Sequence, residues 1–145
     1  REVVYSRDGV TGAKGAFDAV IAVIGETPYA ETVGDVRFPA PLSLSGVAPQ
    51  TQDLLNKASG HGAPLVTVLL TGRPLETSEA LKRSAAFVVA WLPGTEGGGV
   101  ADVLVGSEGG RSRYRFSGRL PFPWPSCSQP EAACPPQFPQ GFGLR

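Results

Sequence analysis

Three predominantly apolar runs constrain the fold more than any other feature of the chain: residues 19–24 (AVIAVI), 65–70 (LVTVLL) and 85–92 (AAFVVAWL). A strand with one face in water alternates apolar and polar side chains. These runs do not alternate, which predicts strands covered on both faces, as in a parallel sheet with helices above and below. The first run leads straight into a polar loop, residues 25–35, that carries Glu26 and Glu31 and ends on Asp35. Ligands of such sheets collect outside the carboxyl ends of the strands, so a site is expected to begin in this loop.

The segments between the runs have helical and turn signals. Gly9, Gly12 and Gly15 break any period in residues 1–15, which read as loop. Pro39, Pro41 and the Ser-rich turn 43–46 lead to a predicted helix over 48–59, with Leu54, Leu55 and Ala58 on its inner face. Gly60 and Gly62 stop it. Pro64 opens the second strand, which ends in the turn Thr71-Gly72-Arg73-Pro74, and a short helix is expected over 78–83. Pro93 closes the third run, and Thr95 is placed to cap a helix over 97–105. Strand and helix therefore alternate, without any internal repeat, as in a parallel α/β sheet with right-handed crossovers. The expected fold class is a three-layer, flavodoxin-like sandwich with a mostly parallel sheet. Three strands make a thin sheet whose edges need cover. Either the tail adds a further strand or part of this domain, residues 1–145, is missing, and the second is expected.

Composition narrows the function. Lys and Arg number 13 and Asp and Glu number 13, so no overall field favours nucleic acid or an anionic membrane. No apolar run approaches a membrane span. One His and two Cys are too few soft ligands for a tetrahedral zinc site. No secretory leader is visible, and Arg1 in place of Met suggests that the chain starts at a cut. Pro121, Pro123, Pro125, Pro130, Pro135 and Pro136 make the tail, residues 119–145, largely irregular. Cys127 and Cys134 fall within it, either bridged in an oxidising compartment or present as two free thiols.

Five segments, taken together and in order, are similar to the C-terminal α/β sandwich domain of glycoside hydrolase family 3, of the β-glucosidase and β-glucan exohydrolase type. They are VIGETPYAETVGD (23–35), VTVLLTGRPL (66–75), AAFVVAWLPGTEGGGVADVLVG (85–106), SGRLPFPWP (117–125) and FPQGFGL (138–144). The resemblance implies a two-domain active site in which a (β/α)₈ barrel supplies an aspartate nucleophile and the sandwich supplies the acid/base glutamate. Nothing in the chain could be that barrel, so the chain looks like the later part of the second domain. An insertion at residues 107–118 and the cysteine-containing segment depart from the family pattern. The resemblance further implies a β-linked glucoside or oligosaccharide substrate, no cofactor and, with the cysteine pair, a periplasmic or secreted protein.

Retaining glycoside hydrolysis needs one ionised and one protonated carboxyl group about 5–5.5 Å apart. Glu31 stands at the family's acid/base position in PYAE. Glu26, directly after the strand, suits a structural role, accepting backbone hydrogen bonds that hold the loop. Asp35 is expected to accept local backbone N–H groups in a turn. Tyr29 is a candidate for lining the sugar site or for packing the loop. Arg73 either orients a carboxylate or ties neighbouring loops together. Trp91 ends a buried strand and reads as core. Glu96 sits at a helix N-terminus, where the dipole stabilises a carboxylate, and the glycines after it lack the ending of a P-loop. His61, between two glycines, has no G-x-S-x-G partner and reads as a turn residue. Arg111, Arg113 and Arg115 with Tyr114 read as an exposed insertion and not a nucleic-acid site. A non-catalytic sugar-binding or assembly domain, or a free-standing flavodoxin-like binding domain, are the alternatives.

Overall fold

The three apolar runs become β1 (Val20–Gly25), β2 (Leu65–Leu70) and β3 (Ala86–Trp91), which pair in that order as one parallel sheet. Helices α1 (Leu44–Val47) and α2 (Gln50–Gly60) connect β1 to β2, α3 (Ser78–Arg83) connects β2 to β3, and α4 (Gly97–Leu104) follows β3. The computed structural model describes residues 2–10, 12, 14–37, 40–106, 114–129 and 133–144. Most of the 107–118 insertion, including Arg111 and Arg113, lies outside them, while Tyr114 and Arg115 are exposed.

Two local expectations need correcting. The helix predicted over 48–59 is broken at its start. Ala48 leaves the helical region (φ −143°, ψ 65°) because the proline after it disfavours that conformation. The Ser-rich turn before it is itself one helical turn, α1, capped by Ser43, whose Oγ accepts from Gly46 N–H at 3.1 Å. Nor does Thr95 cap α4. Glu96 N–H closes a turn on Pro93 O at 2.9 Å, which places Thr95 inside the turn and makes Glu96 the N-cap residue. The Thr95 hydroxyl instead donates to the Glu96 carboxylate at 3.3 Å.

Strand register sorts the side chains by face. Ala22, Thr67 and Phe87 lie side by side, as do Ile24, Leu69 and Val89. This face carries the core, where Ala22, Ile24, Leu65 and Leu69 meet Leu44, Ala48, Leu55, Ala58, Leu75 and Ala80 of the helices and connections. The buried Thr67 hydroxyl is satisfied by Ser84 Oγ at 2.7 Å. Burial of β1 on both faces is not what the chain achieves: Ile21 and Val23, on the other face, are 49% and 55% exposed. The strand order explains why. Right-handed crossovers that step β1 to β2 to β3 without reversing direction place their helices on the same face.

A proline-rich tail completes that core. Trp124 bridges antiparallel to Phe138, with Trp124 N–H donating to Phe138 O and Gln137 N–H to Trp124 O, both at 2.8 Å. Its ring is fully buried, and Nε1 donates to Thr77 Oγ1 at 3.2 Å. Trp91 is half-buried against it and against Phe122, with ring centroids 6.0 and 5.9 Å apart. Cys127 and Cys134 form a disulfide that closes the next loop, where Ser128 O accepts from Leu42 N–H at 2.7 Å.

Two outcomes follow for stability, both read by chemical denaturation. Trp124→Ala removes a buried aromatic and its hydrogen bond and is expected to cost about 3–5 kcal/mol. Replacing Cys127 and Cys134 by Ser together is expected to cost about 2 kcal/mol, the scale of loop-closure entropy for so short a loop.

Candidate functional site

The carboxyl ends of the three strands converge on one buried carboxylate. Gly25, the last residue of β1, packs so closely on the Leu70 carbonyl that no Cβ fits there. Glu26 then donates its N–H to Leu70 O at 3.2 Å and turns its side chain inward, where only 5% of it is exposed. Three donors meet this carboxylate. Thr71 Oγ1 lies 2.6 Å from Oε2 and Tyr29 Oη 3.1 Å from the same oxygen, while Arg73 Nε lies 2.9 Å from Oε1. The Arg73 Nε contact is an ion pair whose N–H is not aligned for a hydrogen bond, so its attraction is charge on charge. Thr71 is fully buried, and its own N–H donates to Trp91 O at 3.1 Å, which brings in β3. Its hydroxyl has one proton to give, and the Glu26 carboxylate is a stronger acceptor than the Arg73 carbonyl 2.8 Å away.

Glu26 is thus held as a structural carboxylate, but by side chains and not by the backbone N–H groups expected. The reason is geometric: the loop after Gly25 runs outward, and the nearest donors belong to the Thr71-Gly72-Arg73 turn of the neighbouring strand. Arg73 ties the two loops. Its Nη1 donates to Gly34 O at 2.6 Å, and its guanidinium carbon lies 4.2 Å from the centre of the Tyr29 ring. Tyr29 packs in turn against Gly34, where a side chain would collide with the ring.

Glu31 projects from this scaffold. The chain from Ala30 to Gly34 is a compact turn, with Gly34 N–H donating to Ala30 O at 2.9 Å and Val33 N–H to Glu31 O at 2.8 Å. Glu31 is exposed, and among the described residues no hydrogen bond or ion pair engages its carboxylate. Thr32 has φ +66°, a left-handed conformation costing a β-branched residue roughly 1–2 kcal/mol. Among the described residues no backbone N–H donates to the Asp35 carboxylate, and the Asp35 N–H donates to Thr32 O at 3.3 Å. Asp35 itself is exposed.

The structure therefore brings Glu26, Tyr29 and Arg73 into direct contact and places Glu31 on the adjoining turn. His61 is elsewhere. It follows α2, is buried with Nε2 3.0 Å from Gly9 O, and packs edge-on to Phe17 with centroids 5.2 Å apart. Among the described residues no group of three or more His, Cys, Asp or Glu side chains converges to hold a metal ion. Sequence reasoning missed Thr71 and Trp124. The available signals were a threonine directly after a buried strand, which must find a partner, and an indole among prolines.

The family described as glycosyl hydrolase family 3 C-terminal domain matches residues 5–145. The chain belongs to this family. A periplasmic beta-glucosidase of Salmonella typhimurium is 37% identical over 120 residues, 81% of this chain and 14% of the relative. A lysosomal beta glucosidase of Dictyostelium discoideum is 37% identical over 110 residues, 74% of this chain and 12% of the relative. A beta-xylosidase of Formosa agariphila is 28% identical over 161 residues, covering 97% of this chain and 21% of its own. The crystal structure of a beta-glucosidase from Listeria innocua, in complex with glucose, superposes with a TM-score of 0.61 at 29% identity, over 77% of this chain and 14% of that one. The family 3 chain thus spans between about one-eighth and one-fifth of the length of these relatives, and its three parallel strands with helices share the α/β fold of the Listeria innocua structure.

Replacing Arg73 leaves the Glu26 carboxylate buried without its counter-charge. Arg73→Met is expected to lower stability by about 3 kcal/mol, read by thermal or chemical denaturation. Adding Glu26→Gln to that variant should restore at least about 1 kcal/mol, and strict additivity of the two losses would contradict the pairing.

Proposed function

We propose that this chain is part of the second domain of a retaining, exo-acting β-glycosidase, with Glu31 as its acid/base residue. The observation that carries the reading is the position of Glu31: an exposed carboxylate, without a partner among the described residues, on a pinned turn at the carboxyl edge of the sheet, in a chain of family 3. Tyr29, Arg73 and Glu26 serve the turn more than the sugar, since their polar atoms are engaged with one another. A proton donor needs cover that excludes water, and none of the described residues supplies it to the exposed Glu31. That cover, and the aspartate nucleophile, belong in this reading to a (β/α)₈ barrel domain of the same protein. The open face of β1 suits a sandwich domain completed by further elements.

In the reaction, the aspartate attacks the anomeric carbon of a β-linked glucoside while Glu31 gives its proton to the departing oxygen. Glu31 then takes a proton from the water that releases the sugar from the aspartate. The chain by itself holds half of this pair and is expected to be inactive. The names of two relatives support a β-glucoside substrate, and that of a third points to a β-xyloside. The disulfide and the periplasmic relative support a periplasmic or secreted location.

Glu31→Gln in the barrel-bearing protein tests the assignment. The expected result is a loss of about 10²–10⁴-fold in kcat/KM on an unactivated aryl β-glucoside. An unchanged rate would make the domain a non-catalytic one, kept for sugar binding or assembly.

A further inference from the structure

We propose that Arg73 is a positioning residue that fixes the direction in which Glu31 delivers its proton; the proposal rests on the acid/base reading of Glu31. The turn that carries Glu31 has two stalks, Tyr29 and Gly34, and Arg73 holds both. Its guanidinium stacks 4.2 Å from the centre of the Tyr29 ring, and Nη1 donates to Gly34 O at 2.6 Å. The third side of the guanidinium faces Glu26, which in turn receives the Tyr29 hydroxyl. The post itself is rigid. Arg73 follows the fully buried Thr71 and precedes Pro74 and the fully buried Leu75, so the guanidinium is anchored in the core of the sheet edge.

Between the stalks, the backbone hydrogen bonds of the turn among the described residues all run within residues 30–35. The turn nevertheless holds Thr32 at φ +66°, a conformation that persists where the surroundings over-determine it. The planar fork of Arg73 meets that need, because one group satisfies a carbonyl, a carboxylate and a ring face at once. A lysine has a single point charge and cannot hold all three. Proton transfer depends steeply on direction and distance, so loosening the stalks lowers the rate without touching the sugar.

A leaving-group series in the barrel-bearing protein separates positioning from general stability. Phenyl β-glucoside needs its leaving oxygen protonated, whereas 2,4-dinitrophenyl β-glucoside does not. For Arg73→Lys, which keeps the charge and guards against a folding failure, kcat on the phenyl glucoside is expected to fall by about 10–10²-fold, with KM within about twofold. Its kcat/KM on the dinitrophenyl glucoside should change by less than about threefold. A loss equal for both substrates, or no loss, overturns the proposal. Glu31→Gln run in the same series keeps the two ideas apart. If Glu31→Gln is steep and Arg73→Lys flat, only the positioning role falls; if Glu31→Gln is itself flat, the acid/base reading falls and takes this one with it. Amide exchange of the 145-residue chain is the second measurement. Arg73→Lys should speed exchange at Val33 and Gly34 by about tenfold relative to β2, and unchanged protection there also overturns the proposal.

Discussion

A carboxylate that is 5% exposed cannot be left alone, because removing it from water costs several kcal/mol unless charge and hydrogen bonds replace the lost hydration. Glu26 recovers them from Thr71, Tyr29 and Arg73, and through them from the ends of all three strands. The pairing does more than neutralise one charge. It obliges the loop after β1 and the turn after β2 to settle against each other, and it brings Arg73 within reach of the Gly34 carbonyl. The sheet edge is therefore organised around an electrostatic requirement, while the layer beneath is organised around apolar burial. The two are joined at Thr71, which sits fully buried at the seam and donates to both Trp91 O and Glu26.

The parts of this arrangement legible in the sequence are those set by local pattern. The three apolar runs give the strands within one or two residues, and α3 occupies residues 78–83 as expected. Leu55 and Ala58 do face the core from α2. Cover of β1 was misjudged because an apolar run shows that a residue tolerates burial, not that this chain supplies the cover. Partners were the hardest to foresee. The donors to Glu26 come from residues 29, 71 and 73, and only strand pairing brings the last two beside it. The Trp124 ring was hidden for a different reason, since prolines announce irregular backbone and irregular backbone is wrongly equated with surface.

Membership of family 3 fits a division of labour visible in the chain. The scaffold residues are satisfied internally, with their polar atoms turned toward one another. The Glu31 carboxylate is left without a partner among the described residues, on the side where strand ends gather ligands in open sheets. The sequence motif PYAE located that residue, but the motif does not say how a four-residue turn stays in place. The guanidinium at the end of β2 supplies the physical answer, 39 positions along the chain from the Gly34 carbonyl it holds.

The dependence of the core on the tail bears on how the chain is made. Trp124 and Phe138 pack on the core and Trp124 engages Thr77, yet both leave the ribosome long after β1 and α2. At about 5–20 residues per second, the nascent sheet spends several seconds with Trp91 and Val89 uncapped. Early elements therefore collapse onto an unfinished apolar surface, exposed to chaperones and to unwanted association, until the segment carrying Trp124 and Phe138 is translated and docks.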